Sequence, residues 1–277
     1  MQIGWIWDGR RWTHEEILEL ARTYPDDFPY TPQTVEKMFV QEERDYISPT
    51  MLSDCPRAIV LKQQSDYWVP LEYAYAAYRG TMIHAFLDDG TQEDDALVER
   101  AIRITYEIPG GGWMYLRGKP DKVIPGQKLL IDYKSIKDDD VGKKKPYWVP
   151  QLSVYRYMLA QPHEFMHECP DGEALETWET EGPIEVTRAL IQQFSMKRPH
   201  RTALELWPLG QTKEYLDARI SKFVGVFDGT YDVDELLPPV LDAELDSDSV
   251  WKCTGWRGKA PWCPVAGLCA QIAREGR

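Results

Sequence analysis

The segment that most limits the fold is a pair of short alternating runs, YLRGKPDKVI and LLIDYKSI, joined by PGQK. Apolar and polar side chains alternate along both, as in strands that bury one face, and the Pro-Gly pair marks a tight connection. The alternation predicts adjoining strands of a hairpin over residues 121–124 and 129–134. Helical spacing lies on both sides of this hairpin, which points to an α/β domain with a small mixed sheet flanked by helices.

Upstream, ISPTMLSDCPRAIVLKQ opens with Ser and Pro in helix-start positions, with Cys55 near the beginning of the predicted helix. Residues 71–88, LEYAYAAYRGTMIHAFLD, are apolar all round and read as a largely buried helix, with Gly80 and His84 one turn apart. Downstream, YWVPQLSVYRYMLA predicts a helix over 147–160 with Pro150 in its first turn, and residues 203–207 form a short strand candidate. Leu216, Ile220, Phe223 and Phe227 make the apolar stripe of a further helix. Residues 1–46 hold Trp5, Trp7 and Trp12, read as packing residues, and a helix over 14–22. They read as an N-terminal accessory segment to a domain of residues 47–277.

The chemistry concentrates in the hairpin. On a strand, residues i and i+2 share a face, so Asp132 and Lys134 project together. Antiparallel pairing across a four-residue turn brings Asp121 to the same neighbourhood. Two carboxylates converging there repel one another unless a hard divalent cation sits between them. Such a cation activates water and neutralises a phosphoryl oxygen, while Lys134 orients that water or stabilises the charge that develops. The plain alternative for an acidic-x-Lys tripeptide is a solvated strand edge. Histidines on apolar helices are more often core residues than ligands, and His84 acquires a metal-binding reading only in company with the carboxylates. Glu99 and Glu107 read as surface acids.

The order of parts carries more than any one of them: Gly80-x-x-x-His84, then Gly118-x-x-Asp121, then Ile131-Asp132-Tyr133-Lys134, then Gln151-x-x-x-Tyr155 opening a helix. This ordered set resembles the RecB-like branch of the PD-(D/E)XK nuclease superfamily, over residues 48–269. The resemblance implies a restriction-endonuclease-like core in which His84, Asp121 and Asp132 coordinate Mg2+ or Mn2+. It further implies that Lys134 is catalytic and that Gln151 and Tyr155 line the site. The implied activity is phosphodiester hydrolysis of DNA, exonucleolytic on single strands or ends. Recombination, repair, phage replication or CRISPR adaptation are the settings it suggests, with protein partners from such a complex. Two other classes stay open: a DNA-end-binding adaptor that keeps the fold without turnover, and a hydrolase of another phosphate compound.

Five cysteines are too few for a disulfide scaffold in a chain of 277 residues. Cys55 precedes the hairpin, and Cys253, Cys263 and Cys269 follow it in a Cys-x9-Cys-x5-Cys run within a tail rich in Pro and Trp. This one-plus-three layout resembles the iron-sulfur nucleases of the same branch, the CRISPR-associated RecB-like exonucleases and the AddB-type nuclease domain. There, four such cysteines hold a 4Fe-4S cluster, which here would form a C-terminal cap. A four-thiolate zinc site is the chemical competitor, since thiolate suits both centres. Cys169 reads as a thiol outside this set.

The formal net charge of −13 argues against holding nucleic acid by bulk charge, so any polyanion must be met by local patches or metal ions. Lys143, Lys144 and Lys145, with Tyr147 and Trp148 beside them, are the first candidates for backbone and base-stacking contacts to DNA. Residues 197–201, KRPHR, are a second. No run approaches the roughly 20 apolar residues that span a bilayer. With no signal-like start, the sequence reads as that of a soluble cytoplasmic protein, from a bacterium, an archaeon or a phage-infected cell.

Overall fold

The architecture comes from a computed structural model, which describes residues 2–39, 46–88, 95–167, 177–227, 263–266 and 269. In chain order the first half forms β1 (Gln2–Trp7), β2 (Arg10–Thr13), α1 (His14–Thr23), α2 (Pro32–Met38), α3 (Pro49–Leu52), α4 (Pro56–Gln64), β3 (Tyr67–Pro70) and α5 (Leu71–Asp88). The second half forms β4 (Leu97–Val98), β5 (Ile102–Glu107), β6 (Trp113–Gly118), β7 (Lys122–Ile124), β8 (Leu129–Ser135), α6 (Trp148–Leu159), β9 (His163–His167), β10 (Thr177–Glu181), β11 (Arg188–Phe194), β12 (Pro199–Leu204) and α7 (Leu209–Phe227). These residues divide into two compact units, one within Met1–Glu43, Cys55–Met82 and Gly225–Arg277, the other within Arg44–Asp54 and Ile83–Val224.

In the first unit, a three-stranded sheet runs β2-β1-β3, with β1 and β3 parallel. Residues 2–6 are therefore sheet partners of residues 67–70. Thr13 caps α1 in a full capping box: its hydroxyl accepts from Glu16 N at 3.2 Å, and its own N–H donates to the Glu16 carboxylate at 2.7 Å. Ile17, Leu18 and Ala21 of α1 pack with Trp5, Phe28 and Val35. The helix expected after Ile47 is broken in two. Ser48 caps α3 and Cys55 stands at the N-cap of α4, each followed by proline at the first helical position.

Helix α5 forms where the spacing predicts it, but it is not largely buried. Of its described side chains only Leu71 is buried, and Met82 is 42% exposed. Ala74, Tyr75 and Tyr78 pack against the core around Trp5 while staying only half-buried, and the short alanines have little apolar area to hide.

The second unit contains two sheets, β10-β9-β5-β6 and the mixed β12-β11-β8-β7-β4. In the latter, β8 and β11 run parallel, and β7 and β12 run antiparallel to their neighbours. The chain leaves β8 and returns at β11 by way of α6. That helix packs on both β5 and β8, and Leu152, Ser153, Val154, Met158 and Leu159 are all fully buried. A helix covered on most of its circumference is largely apolar for that reason, and its buried polar side chains Gln151 and Ser153 are hydrogen-bonded to Thr50 and the Trp207 N–H. The final strand falls at Pro199–Leu204, earlier than the 203–207 candidate, because it pairs with all but the first residue of β11 from Ala189↔Leu204 to Phe194↔Pro199. Leu216, Ile220 and Phe223 form the buried stripe of α7; the side chain of Phe227 lies outside the described residues, as do Cys169 and Cys253.

Candidate active site

The hairpin fixes the site. Strands β7 and β8 pair as Lys122↔Ile131, Val123↔Leu130 and Ile124↔Leu129, closed by a turn in which Lys128 takes the left-handed conformation, φ 50°. One position further, this register sets Asp121 opposite Asp132. Strand β4 pairs with β7 as Leu97↔Val123 and Val98↔Lys122, which in the same way sets Glu99 opposite Asp121. Three carboxylates thus form a row across three strands: Glu99, Asp121, Asp132.

Glu99 is not the surface acid that its sequence context suggests: its side chain is largely buried. Its Oε1 lies 2.8 Å from His84 Nδ1, and its Oε2 lies 2.8 Å from Lys119 Nζ. His84 Nδ1 also lies 3.2 Å from Asp121 Oδ1. Glu99 is held there by a left-handed backbone, φ 48°, with its N–H donating to the Asp121 carbonyl at 3.0 Å. A non-glycine residue adopts that conformation at a cost, and such costs concentrate at functional sites. Nothing in the local sequence announces it; the available signal was an acid at the end of a strand abutting β7. Glu107, by contrast, is exposed as expected.

His84 is shared by Glu99 and Asp121, Lys119 adds to Glu99, and Lys134 pairs with Asp132. Burial alone would strip the His84 proton, but hydrogen bonds to Asp121 and Glu99 raise its pKa to about 10; a divalent cation bound there would take the place of that proton. Burial likewise favours the neutral form of Glu99, and the hydrogen bonds from His84 and Lys119 prevail to hold its pKa below the ordinary value. Asp132 is 3% exposed. Its burial raises its pKa to about 6 against the pull of Lys134, with the negative charge of Asp121 adding to the rise. Lys134 Nζ donates to Asp132 Oδ1 at 3.0 Å and pairs with Oδ2 at 2.8 Å. Burial works against the ammonium, yet Asp132 holds its pKa above the usual lysine value.

The donor set fits a hard divalent cation. Ligand atoms of His84, Glu99 and Asp121 lie within 4.8 Å of one another, and imidazole plus carboxylate oxygens suit Mg2+ or Mn2+. Asp132 is not in this group of three; its carboxylate is ion-paired with Lys134 at 2.8 Å.

Supporting contacts tie the row in place. Asp121 Oδ2 accepts the backbone N–H of Tyr133. Tyr155, on α6, donates to the Lys119 carbonyl at 3.1 Å, and burial together with the nearby Asp132 and Asp121 charges pushes its pKa well up. Gln151 donates to Thr50 Oγ1 at 3.3 Å, linking α6 to α3. Gly118 is a close approach: a Cβ there would sit 2.7 Å from the Tyr155 ring and 2.9 Å from Pro49.

The two basic segments are neighbours. Gln193, fully buried and paired with Lys134 across β11 and β8, accepts from Gly142 N at 2.7 Å and donates to the Lys143 carbonyl at 3.0 Å. Lys197 N donates to Asp138 at 3.2 Å. Lys143 and Lys144 are exposed, Lys143 and Lys145 pairing with Asp140 at 2.9 and 3.8 Å. Trp148 is 1% exposed. Its ring belongs to the core, so the base-stacking role read for it is withdrawn.

Apart from this site, Cys55, Cys263 and Cys269 pack into one cluster with Ala58, Leu61 and Val265.

The PD-(D/E)XK nuclease superfamily profile matches residues 49–270. The chain belongs to this superfamily, whose members are metal-dependent nucleases. No curated protein matches it. Among solved structures, the crystal structure of SSO0001 is similar with a TM-score of 0.46 and 16% identity, covering 77% of this chain and 94% of that one; a likeness at this level carries no argument. No helix among the described residues is long and apolar enough to cross a membrane.

Proposed function

We propose that this protein is a deoxyribonuclease that hydrolyses phosphodiester bonds with bound Mg2+ or Mn2+, acting as an exonuclease on single strands or DNA ends. The observation that carries the reading is the row Glu99, Asp121, Asp132 with His84 at one end and Lys134 at the other. When bound, the cation supplies Lewis acidity at a phosphoryl oxygen and lowers the pKa of water. His84, Glu99, Asp121 and Asp132 would hold it. Lys134, kept cationic by Asp132, stabilises charge that grows on the phosphoryl oxygens. Tyr155 holds the Lys119 carbonyl just before β7 and Gln151 ties α6 to α3, and Lys143, Lys144 and residues 197–201 offer contacts to the DNA backbone.

The second part of the proposal is a 4Fe-4S cluster on Cys55, Cys253, Cys263 and Cys269. Its support is the packing of Cys55, Cys263 and Cys269 into one cluster; Cys253 lies outside the described residues. A cytoplasmic role in recombination, repair, phage replication or CRISPR adaptation, with partners from such a complex, accords with this chemistry. Anaerobically purified protein tests both parts in one preparation. It should be brown, lose colour on Cys263→Ala, and degrade end-labelled single strands only with Mn2+ or Mg2+. Stoichiometric zinc without iron would remove the cluster, and a metal-supplied protein that leaves every DNA form intact would remove the nuclease.

A further inference from the structure

The sheet β10-β9-β5-β6 buries one face and leaves the other partly open, with Thr105, Glu107 and Trp113 exposed and Arg103, Tyr115, Arg117 and Trp178 half-buried. Ile102, Ile104 and Leu116 are at most 3% exposed on the inner face. The register Arg103↔Arg117, Thr105↔Tyr115 and Glu107↔Trp113 puts the alternate residues together on the outer face. Beside Thr105 and Glu107, this face carries aromatic rings with guanidinium planes between them. Arg103 Cζ lies 4.7 Å from the Tyr115 ring centroid and 4.1 Å from that of Trp178, and Arg117 Cζ lies 5.1 Å from Trp178 and 5.0 Å from Tyr46. Trp113 stands edge-on to Tyr115 at 5.3 Å and is 61% exposed.

The fold gains little from an indole left in water, and an exposed patch of this kind marks a surface that binds. Its occupant must offer π-faces at a regular spacing and a negative backbone. Residues 113, 115 and 117 are spaced by about 6.7 Å along the strand, on the scale of successive nucleotides in an extended single strand. In a duplex the π-faces are already stacked inside the helix. We propose that this outer face is a stacking platform for single-stranded nucleic acid, with bases on Trp113, Tyr115 and Trp178 and phosphates met by Arg103 and Arg117. The guanidiniums suit the task because the rings hold them flat, the geometry in which a guanidinium meets an oxyanion in its own plane. Glu164, 2.6 Å from Arg103 Nε, keeps the surface from acting as a general anion patch, so stacking must supply most of the affinity. The identity of the polymer rests on the nuclease reading; the platform itself does not require cleavage.

Fluorescence anisotropy with labelled oligothymidylate, full-length protein and a chelator to prevent cleavage tests the platform. Trp113→Ala and Tyr115→Ala should each weaken single-strand binding about ten-fold. Trp113→Phe should stay near wild type, as should the control Tyr24→Ala, a solvent-exposed ring in the other unit. The dependence of affinity on salt should keep its slope, because no phosphate contact is lost, and binding to duplex of the same length should not change. Wild-type affinity for the single strand in folded Trp113→Ala and Tyr115→Ala, checked by circular dichroism, would overturn the platform, including the case in which the face serves a protein partner. Strand cleavage by wild type with those variants binding normally would leave the nuclease standing and the platform fallen. Ring-dependent binding without any cleavage would do the reverse.

Discussion

Glu99 Oε1 reaches His84 Nδ1 at 2.8 Å from a left-handed backbone, and this contact completes a three-donor group with Asp121. Removing the acid should therefore act on metal binding before anything else. Glu99→Gln should weaken Mn2+ binding by about ten-fold or more, the scale of losing one supporting carboxylate, in a calorimetric titration. Glu107→Gln, at an exposed position, should bind as wild type does. Equal affinity in the Glu99 variant would exclude it from the site.

Asp121 has two duties, since one oxygen faces His84 and the other accepts the Tyr133 N–H. Asp121→Asn keeps an acceptor for that N–H and should lose Mn2+-dependent cleavage with little change in stability. Asp121→Ala leaves the N–H without a partner and should cost about 1–3 kcal/mol in urea unfolding as well. Identical stability for the two variants would mean that the backbone contact contributes nothing.

Gly118 is needed for space, not for backbone freedom. The Cβ of Gly118→Ala would press on the Tyr155 ring at 2.7 Å and on Pro49 at 2.9 Å. It should destabilise the fold by about 1–3 kcal/mol, the usual cost of overpacking, and displace the Lys119 carbonyl from Tyr155. An unchanged urea midpoint would show that the ring and the proline move aside freely.

Asp217 accepts from Tyr106 at 2.6 Å and from Lys213 at 2.8 and 3.0 Å. Burial opposes its ionisation, but those hydrogen bonds prevail and hold its pKa below the ordinary carboxylate value. A carboxylate with a depressed folded pKa contributes stability above its unfolded pKa and loses it as the pH falls through the folded one. Asp217→Asn should thus lower the melting temperature at pH 7, with the gap to wild type closing in strong acid. A gap that widens on acidification would contradict this.

Much of the site was legible because a strand hairpin is a local structure. The Pro-Gly turn and the alternation fix the register between 121–124 and 129–134, and with it the approach of Asp121 to Asp132 and the common face of Asp132 and Lys134. Glu99 was not legible, since its side chain is aimed by a left-handed backbone and by the pairing of a two-residue strand. Apolar pattern also misled at two places. It marked α5 as buried although its tyrosines and alanines do not demand cover, and it left Trp148 open to a surface role although α6 lies against both sheets. The adjacency of residues 143–145 and 197–201 depends on Gln193, a polar residue whose burial no local pattern shows.

The central claim is that the carboxylate row and Lys134 perform hydrolysis, and Lys134→Ala tests it most directly. Its ammonium acts on charge that develops in the transition state more than on a phosphate merely held in the ground state. Single-turnover cleavage of a labelled single strand with Mn2+ should fall by about two orders of magnitude or more, while the DNA dissociation constant, measured at the same salt concentration, changes little. A variant that cleaves at the wild-type rate, or one whose main defect is weaker, salt-sensitive binding beside a wild type without cleavage, would contradict the account.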